Sequence, residues 1–156
     1  MTDEALCPCG SEAAYATCCE PIIEGKTAAP TAEALMRSRY SAFAKGKIDH
    51  IIQSHDPDTV GEIVREEVEA WSLQSSWLGL SVLRTERGQA EDDAGVVDFV
   101  AKYKLNGLTT QHRERAVFRR VDGKWLFVDG GEIPSEKQAP AQVKWVGKKK
   151  GKARRR

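Results

Sequence analysis

The chain has 156 residues, enough for one domain with its own hydrophobic core and short appendages. Its residues are 40% hydrophobic and 30% charged, an ordinary globular mix with a formal net charge of +1. No stretch approaches the ~18 apolar residues of a membrane span, and the short acidic start MTDEALC is unlike a secretory signal, so we expect a cytoplasmic protein without membrane contact.

All four cysteines lie in CPCGSEAAYATCC, residues 7–19, with the spacing C-x-C-x8-C-C. Clustered thiolates in a cytosolic chain suit the four tetrahedral positions of zinc. Gly10 permits the positive φ that a tight metal loop often needs, and Ser11 is a suitable cap for a short helix over residues 12–17. Tyr15 would cover the metal on its apolar side. The sequence predicts a zinc site whose ligands are Cys7, Cys9, Cys18 and Cys19.

Disulfides and redox catalysis are the alternative explanations for these cysteines. A bridge between the adjacent Cys18 and Cys19 would be strained, whereas two bridges between the two pairs remain possible in an oxidising compartment. A C-x-C redox pair would leave the second pair unexplained. If zinc is bound, four thiolates leave no open coordination position, which predicts a structural or docking role and no catalysis at the metal.

The spacing and the opening CPCGS resemble the SEC-C motif, the zinc module at the C-terminus of the SecA translocation ATPase. The resemblance assigns the metal ligands to the same four cysteines. It also implies a role in binding partners, because SEC-C modules dock on the SecB chaperone and the ribosome.

Three helices are predicted after a loop at residues 20–30. The first lies between the N-cap Thr31 and Gly46, a residue type that commonly ends helices. The second covers residues 48–55 and the third covers residues 60–71. In each of them the apolar residues recur at helical spacing and mark one buried side.

The hydrophobic period then changes from helix to strand. WLGLSVLRTER and GVVDFVAKYKL are predicted as strands, and the second alternates cleanly between apolar and polar residues. Asn106-Gly107 and Asp122-Gly123 are strong two-residue hairpin turns, which enclose a strand over residues 108–121 and introduce the strand KWLFVDG. The result is a four-stranded antiparallel meander that follows the helices.

This order predicts an α+β cone with the curved sheet wrapped around the helices, similar to the NTF2-like fold. With the N-terminal cysteine motif, it resembles the YchJ-like (UPF0225) family through LMRSRYSAF, HDP, WLGL and ERAVFRRVDGKWLFVDG. The resemblance implies a SEC-C motif at 1–25 and an NTF2-like domain at 26–134, with pairing of cones as a possible homodimer. Many relatives end in a second C-x-C-x8-C-C, whereas this chain ends in Lys and Arg.

The two hairpins fix the strand register and therefore the side chains that face the helices. The expected pairs are Ala101–His112, Phe99–Glu114, Phe118–Phe127 and Ala116–Asp129. The apolar members of that face are Val97, Phe99, Tyr103, Phe118, Trp125 and Phe127. Its ionisable members are His112, Glu114 and Asp129.

Charged groups among aromatic residues need a partner or a ligand. One explanation is a pocket for a small polar ligand, with Tyr40, His55, Tyr103, His112, Glu114 and Asp129 as its candidate residues and Arg39 beside them. The other is a structural ion pair in which Arg37 or Arg39 meets Glu114 or Asp129, and ion-pair networks commonly gather such groups.

The C-terminus carries most of the charge asymmetry. Residues 144–156, KWVGKKKGKARRR, contain eight of the 24 Lys and Arg and none of the 23 Asp and Glu. Residues 1–143 thus keep sixteen basic and 23 acidic groups, a net charge of −7. Residues 135–156 are predicted to be a disordered basic tail. The tail could fold back on the acidic body, contact RNA, or stay solvated and bind nothing.

The leading hypothesis is a zinc-binding cytosolic adaptor, whose SEC-C module docks on a protein or ribosomal partner and whose tail adds affinity for an anionic surface. The alternatives are small-molecule binding or enzymatic activity in the cone pocket, and plain nucleic-acid binding by the tail and zinc module together. The sequence has no phosphate loop, nucleophile elbow, HExxH pair or dinucleotide fingerprint, so enzymatic activity is the weaker expectation.

Overall fold

The structure is a computed structural model that describes residues 5–131 and 133. Its α-helices are α1 (Glu20–Ile23), α2 (Ala32–Lys45), α3 (Ile48–Gln53) and α4 (Arg65–Gln74). Its strands are β1 (Ser76–Arg87), β2 (Ala94–Leu105), β3 (Leu108–Val121) and β4 (Lys124–Gly131). Single 3-10 turns occur at Tyr15–Thr17 and Val60–Glu62. The predicted basic tail lies outside the described residues.

The central helix α2 begins and ends as its sequence predicts. The Thr31 hydroxyl accepts a hydrogen bond from Ala34 N at 3.0 Å, which satisfies one of the free N–H groups of the first turn. Gly46 ends the helix with φ of 72°, a left-handed conformation that costs glycine little. No helix in the described ranges is both long enough and apolar enough to cross a bilayer.

The third predicted helix was placed too early in the chain. Residues 60–62 form a 3-10 turn, the backbone is extended at Ile63 and Val64, and α4 begins at Arg65. Gly61 and the two β-branched residues disfavour a continuous helix across this segment, since glycine and restricted side chains lower helix propensity. The predicted loop at residues 20–30 also contains the short helix α1, which has Pro21 in its first turn.

The four strands form one antiparallel sheet in the order β1-β2-β3-β4, which confirms the predicted meander. Both hairpin turns have two consecutive positive φ values, 54° and 80° at Asn106-Gly107 and 53° and 80° at Asp122-Gly123. This is the backbone that matches the right-handed twist of the strands. The predicted pairs Ala101–His112, Phe99–Glu114 and Phe118–Phe127 are present.

A β-bulge in β4 makes the fourth predicted pair wrong. The register shifts between Val117 and Phe118, so that Ala116 lies opposite Gly130 and Asp129 lies opposite Val117. A bulge adds one residue to one strand, and a shift of one residue moves side chains to the other face of the sheet. Asp129 therefore leaves the face that contacts the helices.

The core lies between α2 and the inner face of the sheet. Its buried side chains include Leu35, Met36, Tyr40, Val97, Phe99, Ala101, Ala116, Phe118 and Trp125. A second buried cluster, Ala42, Ile48 and Ile51, joins α2 to α3 and receives Ile23 and Val68 from the flanking helices. The helices thus fill the concave side of the sheet, as the cone prediction requires.

The end of α3 is joined to the sheet by an ion pair whose carboxylate is buried. Asp56 is only 1% exposed, and it accepts hydrogen bonds from Nε and Nη2 of Arg119 on β3. Backbone bonds from Asp56 N to Phe127 O and from Phe127 N to Ser54 O, each 2.8 Å, add a short ladder to β4. The sequence stretches HDP and VFRRVDG are brought together by this contact.

His50 is buried and neutral beneath α2. Its Nε2 lies 2.9 Å from Ser38 Oγ, whose own proton is donated to Leu35 O at 2.7 Å, so the imidazole donates to Ser38. Burial, with the nearby Arg39 charge, lowers the His50 pKa from 6.5 to about 4. The unfolded chain therefore binds a proton in this pH window that the folded chain does not bind.

We expect this histidine to make the fold less stable in acid. The free energy of unfolding should decrease as the pH falls from 6.5 towards 4, with His50 contributing at most about 1.4 kcal/mol per pH unit. Urea unfolding across that range should show a shallower pH dependence for His50→Gln, in which the side-chain amide can still donate to Ser38. Equal pH dependence in the two proteins would contradict the assignment of a neutral His50.

Candidate metal centre and cone cavity

The four cysteine sulfurs converge on one point. All four Sγ atoms lie within 4.8 Å of one another, with Cys9 and Cys18 at 3.7 Å and Cys18 and Cys19 at 4.0 Å. Tetrahedral metal–sulfur bonds of ~2.3 Å would place the sulfurs about 3.8 Å apart. All four are free thiols in the structure, so neither disulfide alternative is formed. The spacing is that of a shell of four metal ligands.

Short-range backbone structure brings the two cysteine pairs together. Cys7 N bonds Ala13 O at 2.8 Å and Tyr15 N bonds Ala5 O at 3.0 Å, which folds the segment back on itself. Gly10 has φ of 84°, as the tight loop was predicted to need. The predicted helix over residues 12–17 is reduced to the 3-10 turn Tyr15–Thr17.

Ser11 does not cap a helix. Its hydroxyl accepts from Ala13 N at 3.2 Å and lies 3.1 Å from the Cys18 sulfur, so it supports the metal-ligand loop directly. Cys19 precedes α1 and is its N-cap residue. The helical turns that follow the loop therefore fix the positions of the second cysteine pair.

The electrostatics of the cluster favour a bound cation. Cys7, Cys9 and Cys19 are buried and Cys18 is half-buried. A hydrogen bond from the Cys19 thiol lowers the Cys9 pKa to about 4, and the same bond, together with burial, raises the Cys19 pKa. Four thiolates this close would repel one another without a positive charge between them. The donor set and its spacing therefore fit a metal ion.

The cysteine module packs directly on α2. The Cys7 sulfur lies 3.3 Å from Ser41 Oγ, and Arg37 Nη1 donates to Cys9 O at 2.7 Å. Leu80 of β1 contacts the cluster, and Tyr15 covers it as predicted. Arg37 is held by Glu33 and the Cys9 carbonyl, so the alternative in which Arg37 pairs with Glu114 or Asp129 is wrong.

These contacts cross the predicted boundary between residues 1–25 and the cone. Ile22 contacts the main core and Ile23 contacts the α2–α3 cluster. We expect a chain lacking residues 1–25 to keep the cone fold but to unfold at lower urea concentration. The apolar surface that the deletion exposes corresponds to a loss of about 2 kcal/mol or more in the free energy of unfolding. An unchanged urea midpoint would show that these contacts contribute nothing to the stability of the cone.

The cone encloses a cavity of about 230 Å³ between the helices and the inner face of the sheet. Of the six residues predicted to form a pocket, Tyr40, His55, His112 and Glu114 line it. Tyr103 does not line it, but its ring packs 5.6 Å from Trp71 and 5.3 Å from Trp77, which do. Asp129 is not among the lining residues, because the bulge turns it away.

Two tryptophans that were not among the predicted pocket residues also line the cavity. Trp71 and Trp77 both line its wall together with Phe43, which packs against each of them at centroid distances of 5.1 and 5.5 Å. Their apolar spacing along the chain is the same whether they fill a core or line a cavity. Only the folded structure, which leaves a cavity beside Trp71 of α4 and Trp77 of β1, distinguishes a core position from a cavity wall.

The polar side chains of the cavity include Arg39 and the hydrogen-bonded pair His112 and Glu114. His112 Nε2 lies 2.7 Å from Glu114 Oε1, and this hydrogen bond raises the His112 pKa. Arg39 Nη1 donates to Ile51 O at 2.8 Å and to Ser54 Oγ at 2.6 Å, and its guanidinium lies 4.5 Å from the Phe127 ring centre. Burial lowers the Arg39 pKa to about 10 although the Glu114 charge acts in the opposite direction, and Arg39 stays charged at neutral pH.

The remaining histidine of the cavity stays neutral. Burial and the Arg39 charge lower the His55 pKa to about 4, and its Nδ1 has no hydrogen-bond partner. The described residues that line the cavity include no Ser, Thr, Cys or Lys, so none of these nucleophiles is present in the lining. The arrangement is suited to binding a ligand through the apolar walls and the charged guanidinium of Arg39.

Comparison with known proteins places both parts of the chain. The family model of the YchJ middle NTF2-like domain matches residues 31–130, and the SEC-C motif model matches residues 5–21. A UPF0225 protein of Geobacter sulfurreducens is 40% identical over 92% of this chain and 87% of its own length. A UPF0225 protein of Actinobacillus succinogenes is 39% identical over 85% of this chain and 86% of its own.

Two solved structures have the same fold. A SEC-C motif containing protein from Rhodopseudomonas palustris, solved in solution, superposes with a TM-score of 0.76 at 34% identity, over 83% of this chain and all of that one. A crystal structure of a SEC-C motif containing protein from Psychrobacter arcticus gives a TM-score of 0.69 at 27% identity, over 85% of this chain and 86% of that one.

Proposed function

The chain belongs to the UPF0225 family, and from that premise we propose that it is a zinc-binding cytoplasmic adaptor whose SEC-C module docks on a protein or ribosomal partner. The observation that carries the proposal is the closed set of four sulfur ligands at residues 7–19. A site with four protein ligands has no open position for substrate, so its role is to shape a surface.

Zinc is the metal that this donor set suits best. Four thiolates in tetrahedral spacing favour zinc over the oxygen-preferring cations Mg²⁺ and Ca²⁺. Zinc would be held by Cys7, Cys9, Cys18 and Cys19. Its positive charge would offset the repulsion between the four thiolates, and its bonds to them would hold the loop in place. Arg37 and Ser41 would hold the loaded module against α2 through their contacts with Cys9 and Cys7.

The outward side of the module has the composition of a small contact surface. Leu6 is 66% exposed although it lies beside the buried Cys7. Residues 10–13 and 16–17 are also exposed and mostly small, so a partner can approach the loop closely. An exposed apolar side chain on a rigid, metal-stabilised loop is a suitable anchor for a partner.

The proposal is tested by affinity capture and by sedimentation with purified ribosomes. We expect a specific partner, or the ribosome itself, to be recovered with the tagged full-length chain and lost with Cys9→Ser. Leu6→Ser is the matched surface variant, because it should also lose the partner while keeping its metal. Recovery of the same partners by all three proteins would rule out the module as the docking surface.

We also propose that the basic residues 144–156 add affinity for RNA. This segment lies outside the described residues, so the proposal depends on its charge alone. Weak RNA binding should fall steeply with salt, because each phosphate contact contributes about −0.9 to the log–log slope on duplexes and less on single strands. Deleting residues 144–156 should largely remove the binding in a filter or anisotropy assay. Equal binding by the shortened chain would leave the tail without this role.

A second candidate function is small-molecule binding in the cone. It is favoured by the cavity of about 230 Å³, which has mainly apolar walls and the charged residues Arg39 and Glu114. Concave apolar sites with a few converging polar groups are the usual form of ligand sites. This function would act independently of the metal module, since the lining residues all come from the cone.

A further inference from the structure

The size and walls of the cavity define the body of its ligand. Aromatic rings dominate the lining, with contributions from Phe43, Trp71, Trp77, Phe99 and Phe118. An apolar cavity of about 150 Å³ accommodates benzene. The volume of about 230 Å³ here is therefore enough for one six-membered ring with a small polar substituent.

Arg39 defines the polar end of the ligand. It is 8% exposed, and its Nη1 group uses both of its protons on Ile51 O and Ser54 Oγ. Among the described residues, no acceptor is bonded to its Nε or Nη2 groups. Neither group is among the fully buried polar atoms that lack a partner, so both keep some access and are available to a ligand. A carboxylate accepts two parallel hydrogen bonds from the Nε–Nη2 edge of a guanidinium.

The charges that line the cavity leave room for an anion. Glu114 is the one carboxylate among the lining residues of the described chain. It is bonded to His112, and its charge also acts on Arg39 without a hydrogen bond between them. Burial raises the Tyr40 pKa, so Tyr40 and His55 are neutral at neutral pH. With His112 protonated the lining carries two positive charges and one negative. With His112 neutral it carries one of each.

We propose that the cone cavity binds a small monocarboxylate with an aromatic or compact apolar body, whose carboxylate pairs with the free edge of Arg39. The inference rests on the second candidate function, ligand binding in the cone, and gives that ligand its chemical class. The ring of the ligand packs against Trp71 and Trp77. Affinity increases as the pH falls through the His112 pKa, because protonation adds a positive charge to the lining.

Benzoate is the probe, with benzyl alcohol and benzylammonium as its neutral and cationic counterparts. Each is titrated into the metal-loaded full-length chain and followed by tryptophan fluorescence and calorimetry. We expect saturable benzoate binding about tenfold or more tighter than that of benzyl alcohol, the value of a charge-assisted hydrogen bond. Benzylammonium should bind most weakly, since Arg39 repels it.

Two variants separate recognition by Arg39 from a general effect on folding. Arg39→Gln should weaken benzoate binding about tenfold, but it also removes bonds that hold the end of α3. Glu114→Gln keeps the shape and removes the carboxylate that the described residues contribute to the lining. In mildly alkaline buffer it should strengthen benzoate binding several-fold. Glu86→Gln is the matched control, because it makes the same charge change on an exposed side chain outside the cavity.

Each contrary outcome overturns a defined part of the inference. Tighter binding of benzylammonium, or weaker benzoate binding in Glu114→Gln, overturns the anion preference. Equal binding of benzoate and benzyl alcohol overturns recognition by Arg39 and leaves the cone as an unselective apolar site. If none of the three probes binds saturably, both the inference and the second candidate function fail, while the metal module is unaffected.

Discussion

Replacing Cys9 by Ser is expected to reduce bound zinc from one ion per chain to nearly none. Cys9 is fully buried, and its sulfur accepts a hydrogen bond from the Cys19 thiol. Its replacement therefore removes one of the four ligands and the contact that positions Cys19. Structural zinc sites contribute about 10–16 kcal/mol to the folding of small modules. We therefore expect residues 5–23 to unfold in this variant. Elemental analysis after desalting measures the metal, and amide hydrogen exchange measures the local unfolding.

Ser11→Ala is the control for the loss of metal. It removes the hydroxyl 3.1 Å from the Cys18 sulfur but keeps all four ligands, so the zinc content should stay near one per chain. Cys7→Ser, Cys18→Ser and Cys19→Ser should resemble Cys9→Ser. A protein that is isolated without metal and with two stable disulfides would contradict the metal site altogether.

Replacing Arg119 by Leu should be among the most destabilising changes in the sheet. It leaves the Asp56 carboxylate, 1% exposed, without its cation. Breaking a buried pair in this way costs about 3–5 kcal/mol, and we expect about 2–3 kcal/mol because the Arg119 side chain is 44% exposed. Asp56→Asn should cost less, since Arg119 can still bond Asp58 and water. Urea unfolding of the two single variants measures both costs.

The double variant Asp56→Asn/Arg119→Leu tests whether the two residues act as a pair. It removes the buried charge together with its partner, so its cost should be smaller than the sum of the two single costs. Strict additivity would show that Asp56 and Arg119 stabilise the fold independently. The contact joins residues 63 positions apart, so its loss should also loosen the end of α3 from β4.

Two of the predicted helices differ in the structure. The helix predicted over residues 60–71 begins at Arg65, and the helix predicted over residues 12–17 is only a 3-10 turn. In both places the apolar spacing was compatible with a helix. Gly61, Ile63 and Val64 disfavour a continuous helix in the first segment. In the second, the bonds Cys7 N–Ala13 O and Tyr15 N–Ala5 O hold the chain in a different conformation.

Part of the candidate site could also be predicted from local sequence, and part could not. The clustering of the four cysteines follows from their spacing, because all four lie within thirteen residues and a metal needs four donors within a few ångströms. The facing of His112 and Glu114 follows from the Asn-Gly turn, which fixes the β2–β3 register over its whole length. Asp129 was misplaced because no turn residue signals the bulge between Phe127 and Asp129.

The sequence by itself determined the features that depend on neighbouring residues: the cysteine spacing, the Thr31 cap, the Gly46 stop and both hairpin turns. Each is set by the conformational preference or chemistry of a few adjacent residues. The tertiary structure alone decided the features that join distant segments. These are the packing of the cysteine module on α2, the Asp56–Arg119 pair, the outward facing of Asp129 and the burial of Arg39 in the cavity wall. These contacts form only when segments that are distant in sequence come together, so no local sequence pattern predicts them.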